Sequence, residues 1–182
     1  SSSRVQPRCR HFGDCGGCSW QHLSYPAQLA AKKGMLEDAF RRLGKLASWP
    51  EIEVVHGNPW GFRNRAQFQP PEKSGDVWGF FAAGSRRAVA LRECPILVEE
   101  LQGVWKDLAS RKSDPWADRR DRAVFAWGAQ GRRWLRGPGD PSGEPAEAHV
   151  DGKCLKFAVD GFFQSNLSLV PRMVELATGG LR

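Results

Sequence analysis

No apolar run in this chain of 182 residues approaches the roughly 20 needed to cross a bilayer. The first eight residues, Ser1 to Arg8, hold no hydrophobic stretch of the kind that opens a secretory signal. These two absences favour a cytoplasmic setting and no membrane partner. There, five cysteines are expected to bind metal or stay reduced instead of pairing as disulfides. Acidic residues are in deficit: 20 Asp plus Glu against 27 Lys plus Arg leave a net charge of +7. That sign favours a polyanion such as nucleic acid, and equally serves plain solubility. No internal repeat stands out. A composition of 41% hydrophobic and 26% charged residues suits a globular protein with one good core, or one domain and a fragment of another.

Three of the cysteines crowd into Cys9-Arg-His-Phe-Gly-Asp-Cys15-Gly-Gly-Cys18. Gly13, Gly16 and Gly17 are expected to take positive φ, so that sulfurs close in sequence can face one centre. Three thiolates are one short of the four that commonly surround a structural zinc or an iron–sulfur cluster. The fourth is Cys94 or Cys154. Cys94-Pro95 is the better candidate, because it stands where a strand stops and a helix is expected (Ile96 to about Ala109). Pro95 suits the first helical position, and cysteine followed by proline recurs at iron–sulfur ligands. Cys154 lies in the alternating run Lys153 to Val159, behind an Asp151-Gly152 turn, and reads as a buried free cysteine of a hairpin. Spacing alone leaves zinc and iron–sulfur both open.

After the cysteine loop, Ser24 as N-cap and Pro26 in the first turn predict a helix that ends before Gly44. Its apolar stripe is Leu29, Met35, Leu36, Ala39, Phe40 and Leu43. Glu51 to Val55 alternates and predicts a strand; Asn58 to Gly61 predicts a turn. Arg63 to Gln69 alternates again, which sets Asn64, Ala66 and Phe68 on one face and Arg63, Arg65 and Gln67 on the other. That polar row could grip phosphates or a flipped base, or be an ordinary solvent-facing sheet surface. A loop over Pro70 to Gly75, a hairpin partner over Val77 to Ala82 and a short strand over Ala88 to Arg92 follow. Between Arg111 and Asp140, eight basic residues outnumber four acidic ones. Arg122 to Trp127 and Arg132 to Arg136 are expected to pair as a hairpin, a possible phosphate-facing surface. Gly137 to Gly143 reads as a flexible loop. Asp160 to Asn166 then leads into a helix around Leu167 to Ala177.

The residues from Cys9 to His22, with Tyr25 and Gln28, resemble the cluster motif of the iron–sulfur-containing RNA (uracil-C5)-methyltransferases. Pro59-Trp-Gly-Phe-Arg-Asn-Arg-Ala66 is similar to that family's tryptophan–arginine segment. Gly79 to Ser85, followed by Glu93-Cys-Pro-Ile-Leu97, is similar to its glycine–phenylalanine strand and fourth-cysteine motif. Phe162-Phe-Gln-Ser-Asn166 resembles the motif that opens its methyltransferase domain. The bacterial 23S ribosomal RNA m5U enzymes are the subgroup most resembled.

The resemblance implies a 4Fe-4S cluster on Cys9, Cys15, Cys18 and Cys94, an S-adenosylmethionine and uracil contact zone at Phe162 and Gln164, and RNA contacts from Arg63, Arg65 and Gln67. Where some relatives carry a further basic residue, this chain has Gln67. The implied partner is RNA, ribosomal RNA ahead of transfer RNA, and the chain is expected to be a monomer. In the family's mechanism a cysteine thiolate adds to uracil C6, C5 takes the methyl group, and the C5 proton is then removed. No glycine-rich S-adenosylmethionine loop and no motif of that catalytic cysteine occurs here, so this chain alone is expected to hold no catalytic residue and to be inactive.

The fold class expected is α+β, a largely antiparallel sheet with a few helices and an N-terminal cysteine loop holding the cluster. It divides into a cluster loop and helix (1–44), a central α+β domain contributing the fourth cysteine (45–158), and the first segment of a truncated Rossmann-like methyltransferase domain (159–182). A zinc-binding RNA module and an iron–sulfur electron carrier are the competing readings.

Overall fold

The computed structural model describes residues 2–70, 78–110, 124–137 and 143–179. The stretch at 111–123 and most of the Pro70 to Gly75 and Gly137 to Gly143 loops lie outside the described residues. The architecture is a mixture of helices and antiparallel sheet, as expected. A three-stranded sheet has the order β1-β4-β5, built from β1 (Arg65–Phe68), β4 (Val124–Ala129) and β5 (Arg132–Arg136). Two hairpins accompany it: β2 (Gly79–Phe81) with β3 (Ala88–Ala90), and β6 (Ala146–Val150) with β7 (Lys153–Phe157). The helices are α1 (Tyr25–Arg42), α2 (Val104–Ser110) and α3 (Val170–Thr178).

The central strand β4 reads Val-Phe-Ala-Trp-Gly-Ala, almost wholly apolar, because both of its faces are covered. Val124 and Ala126 join Ala66, Phe68, Leu97, Leu101, Val104 and Trp105 in one core. Trp127 and Ala129 join Trp134, Ala146, Ala148 and Val159 in a second. The register puts Ala66 opposite Ala126 and Arg65 opposite Trp127, so the arginine face of β1 is the face of the second core. On this face Arg65 lies over the Phe125 ring, whereas Gln67 stays exposed. Trp127 is fully buried, its indole N–H donating to the Glu147 carbonyl at 3.1 Å and its ring meeting Phe157 edge-on.

The β4–β5 hairpin turns through Gln130 and Gly131, both at positive φ, and Asp151-Gly152 does the same for β6–β7. The close approach of β2 to β3 admits only glycine at 79, where a Cβ would lie 1.7 Å from the Val89 carbonyl oxygen.

Three expectations need correction. Glu51 to Val55 takes no regular structure and pairs with no strand among the described residues, and Val55 is exposed. Alternation favours extended backbone, whereas a ladder needs a neighbouring edge. This stretch instead runs as a strap, held by Tyr25 Oη donating to the Gly57 carbonyl at 2.8 Å and by a Glu53–Arg172 ion pair.

The helix expected from Ile96 onwards is broken. Cys94 to Leu97 is a turn, Glu99–Leu101 is a 3-10 turn, and Gly103 at φ +81° separates it from α2. Pro95 therefore sits in a turn, not at a helix start.

Helix α1 buries none of its residues; Met35 and Leu36 of its stripe and Leu43 beyond its end stand exposed. Its exit runs through Lys45 in the left-handed conformation, one residue beyond the glycine expected there.

The basic hairpin shares its charge with acidic neighbours. Arg132 faces Glu147 at 3.3 Å, Arg133 faces Asp107 at 2.6 Å and Arg136 faces Asp160 at 3.5 Å.

Candidate metal centre

The cysteine loop is stitched to the β2–β3 hairpin by its backbone. Gly16 N–H donates to the Phe81 carbonyl at 2.8 Å, Ala83 N–H to the Asp14 carbonyl at 3.1 Å, and Cys15 bridges to Ala82. An ion pair from Arg87 to Asp14 lies over the same seam. Gly13 alone of the three loop glycines has positive φ (+95°). Gly16 is tightly placed for a different reason: a Cβ there would lie 3.0 Å from the Phe81 oxygen.

The fourth cysteine is brought up from the other side. Cys94 is buried in the turn after β3, where Gln102 Nε2 donates to its carbonyl at 2.7 Å and to that of Leu97 at 2.8 Å. His11 accepts the Arg92 N–H at 3.1 Å, and Arg10 pairs with Glu93 at 3.2 Å. Loop and turn thus meet, and Cys9, Cys15, Cys18 and Cys94 line one cavity together with Phe12, Phe80, Leu91 and Ile96.

Cys154 lines none of it. It stands exposed on β7 opposite His149, in a hairpin as expected but not buried.

Burial pushes the Cys9 and Cys15 thiols up and that of Cys94 up to about 11. Near neutral pH these three are therefore thiols, and a bound cation would have to displace their protons. Gly17 N–H already donates to Cys15 Sγ at 3.4 Å, the kind of contact that stabilises a ligating sulfur.

The cavity is small, about 20 Å³, little more than one water. Among the described residues no three His, Cys, Asp or Glu side chains are gathered to hold a metal ion. What fits a cluster is the donor set: four cysteines and no competing ligand but His11 and Glu93, in an apolar surround.

Arg63 forms part of the cavity wall, and its Nε donates to the Arg65 carbonyl at 2.9 Å. Arg65 lies over the Phe125 ring and donates to the Asp160 carbonyl at 3.3 Å, leaving its Nε buried and unpaired. Gln67 is exposed. Phe162 and Gln164 are exposed too, on either side of Phe163, which stacks on Phe157 at 4.3 Å. They stand apart from the cysteine cavity, whose lining includes neither.

The positioning residues Gln21, Gln102 and Asn64 were not singled out as functional from sequence. Gln21 is buried and accepts the Cys9 N–H at 3.0 Å. Its place three residues after Cys18 was a signal. Gln102 carried none.

Comparison with known proteins finds likeness in both sequence and fold. In sequence over half its length, and in fold over nearly all of it, the chain is similar to RNA (uracil-C5)-methyltransferases. The sequence relatives are 23S rRNA (uracil(1939)-C(5))-methyltransferases named RlmD. That of Aromatoleum aromaticum is 44% identical over 107 residues, 57% of this chain and 25% of the relative. That of Bordetella pertussis is 44% identical over 100 residues (53% and 22%), and that of Methylococcus capsulatus 41% over 100 residues (53% and 23%). The matched part spans about a quarter of these relatives. The Pyrococcus abyssi tRNA (uracil-54, C5)-methyltransferase, solved with S-adenosyl-L-homocysteine, matches with a TM-score of 0.68 at 19% identity, over 98% of this chain and 52% of that one. That likeness is one of fold. No family model matches the chain.

Proposed function

We propose that this chain is the cluster-binding and RNA-contacting portion of an S-adenosylmethionine-dependent RNA (uracil-C5)-methyltransferase acting on 23S ribosomal RNA. The observation that carries the reading is the convergence of Cys94 with Cys9, Cys15 and Cys18 on one apolar cavity across 75 intervening residues. The likeness to the RlmD enzymes supports the substrate class. Cys9, Cys15, Cys18 and Cys94 would hold a 4Fe-4S cluster, which when bound supplies a cross-link between the loop and the turn. Residues 1–44 and 45–158 are then one working unit, and 159–182 opens the methyl-transfer part.

The remaining work of these residues is orientation. Phe163 packs against Trp127 and Phe157, which turns its neighbours Phe162 and Gln164 outward. Arg65 holds the Asp160 carbonyl, and the Asn64 N–H holds that of Ser165 at 2.7 Å. The motif is thus pinned at both ends while Phe162 and Gln164 are offered to S-adenosylmethionine and uracil; the cofactor supplies the methyl group. Arg63, Arg65 and Gln67 would contact RNA from the strand behind. The nucleophilic cysteine of the reaction is not among these residues, and this chain by itself should transfer no methyl group.

Anaerobic purification followed by an absorption spectrum and iron, sulfide and zinc analysis tests the proposal. Iron and sulfide in equal amounts near four per chain, lost in Cys94→Ser and kept in Cys154→Ser, is the expected result. One zinc per chain would establish the zinc-binding module instead. A cluster in a protein without RNA affinity at low salt would favour the electron carrier.

A further inference from the structure

Beside the cysteine cavity, and sharing Cys18, Gln21, Arg63 and Ile96 with it, runs a groove of about 690 Å³ that the proposed chemistry does not use. Its size is that of sites enclosing a small organic molecule, about 300–1,000 Å³. The start of α1 forms one wall and the strap at 54–59 another, and the floor reaches Asn166, the last residue of the Phe162 motif.

Three features of the lining define an occupant. The aromatic side chains Trp20, Tyr25 and Trp60 all border it. Trp60 packs on the first core and carries Arg8 over its ring at 5.2 Å, and Tyr25 is tied to Gly57, whereas Trp20 belongs to neither core. Lys32 and Arg63 bring positive charge, and Lys32 is exposed. No Asp or Glu is among the lining residues. An acid-free groove with a half-buried indole and two cations repels a cationic ligand such as S-adenosylmethionine. It suits an aromatic base joined to a phosphate.

We infer that this groove takes an unpaired nucleotide of the RNA, its base stacked on Trp20 and its phosphate at Lys32 and Arg63. The inference rests on the RNA reading above and gives it a location. Because the groove borders Asn166, that nucleotide neighbours the one presented to Phe162 and Gln164. Base stacking ignores sequence, so the groove holds the strand open and leaves base choice to other contacts. A duplex, with its bases turned inward, offers nothing to stack.

Anisotropy titrations of the anaerobically purified chain with a fluorescein-labelled single-stranded RNA of about ten nucleotides test this. Trp20→Ala should weaken binding about tenfold or more, and Trp20→Phe, which keeps a stacking face, should retain most of the affinity. Lys32→Ala, on an exposed side chain whose loss leaves the fold intact, should weaken binding and lower the salt slope by about one. Arg132→Ala, remote from the groove, should change little. Parent-like binding by Trp20→Ala and Lys32→Ala would overturn the groove and leave the RNA reading standing. Equal loss in the Phe and Ala variants, preference for duplex, or displacement of the RNA by S-adenosylmethionine would also overturn it. A parent chain that binds no RNA at about 50 mM salt would overturn both.

Discussion

Asn64 and Gly128 are joined twice, side chain to backbone and backbone to backbone. The buried Asn64 Nδ2 donates to the Gly128 carbonyl at 2.5 Å, and the Gly128 N–H donates to the Asn64 carbonyl at 2.9 Å. On its other side Asn64 Oδ1 accepts the Leu167 N–H at 3.4 Å, and its own N–H holds Ser165. One side chain therefore ties β1, β4 and the Phe162 motif together.

Asn64→Ala should cost about 1–3 kcal/mol in a urea titration, because the Gly128 carbonyl is left buried without its partner. The same change should make the Phe162 to Leu167 segment more susceptible to protease than the β6–β7 hairpin. Equal protection of both in the variant would show that Asn64 does not anchor the motif.

Gly79 and Gly16 should rank clearly. Gly79→Ala drives a Cβ into the Val89 backbone and must part β2 from β3, so the cysteine loop loses the hairpin that supports it. Gly16→Ala meets the Phe81 oxygen at 3.0 Å, a contact that a small shift of the loop relieves. Circular dichroism melts should show the first variant largely unfolded at 25 °C and the second lowered by about 1–3 kcal/mol. A stable Gly79→Ala would contradict the close approach.

Burial separates two leucines that sequence alone treats alike. Leu101 is fully buried at the centre of the first core, while Leu43 is 84% exposed past the end of α1. Leu101→Ala should lose about 2–5 kcal/mol in chemical denaturation. Leu43→Lys should stay within about 0.5 kcal/mol of the parent and reduce self-association in light scattering.

What could be read in advance follows from where the information is local. Positive-φ turns at Gln130-Gly131 and Asp151-Gly152, the alternation of Asn64, Ala66 and Phe68, and α1 with its proline start are written in short windows. The preference for Cys94 over Cys154 also came from neighbours, Pro95 and a strand end. By contrast, the row of Arg63, Arg65 and Gln67 points away from Phe68 in sequence, but nothing local says that Arg65 would stand beside Trp127 of the second core while Gln67 stays exposed. The Glu51 to Val55 strap fails for the same reason: alternation describes a strand's own backbone, and the missing neighbour is a tertiary fact.

The thiols make the metal-free protein sensitive to alkali. Cys94 has its pKa raised to about 11 by burial, and Cys9 and Cys15 are raised as well, against about 8.5 for an unfolded cysteine. Below the unfolded value both states are protonated, and the folded protein keeps its full stability. As pH rises past it the unfolded chain ionises first, and stability falls until the folded Cys94 thiol also titrates near 11. Urea midpoints of the chelator-treated, reduced chain should therefore hold between about pH 7 and 8 and decline from about pH 9 upward. Cys94→Ala removes the most strongly shifted of these groups and should flatten the decline. An alkaline slope as steep as the parent's in that variant would show that Cys94 is not its source.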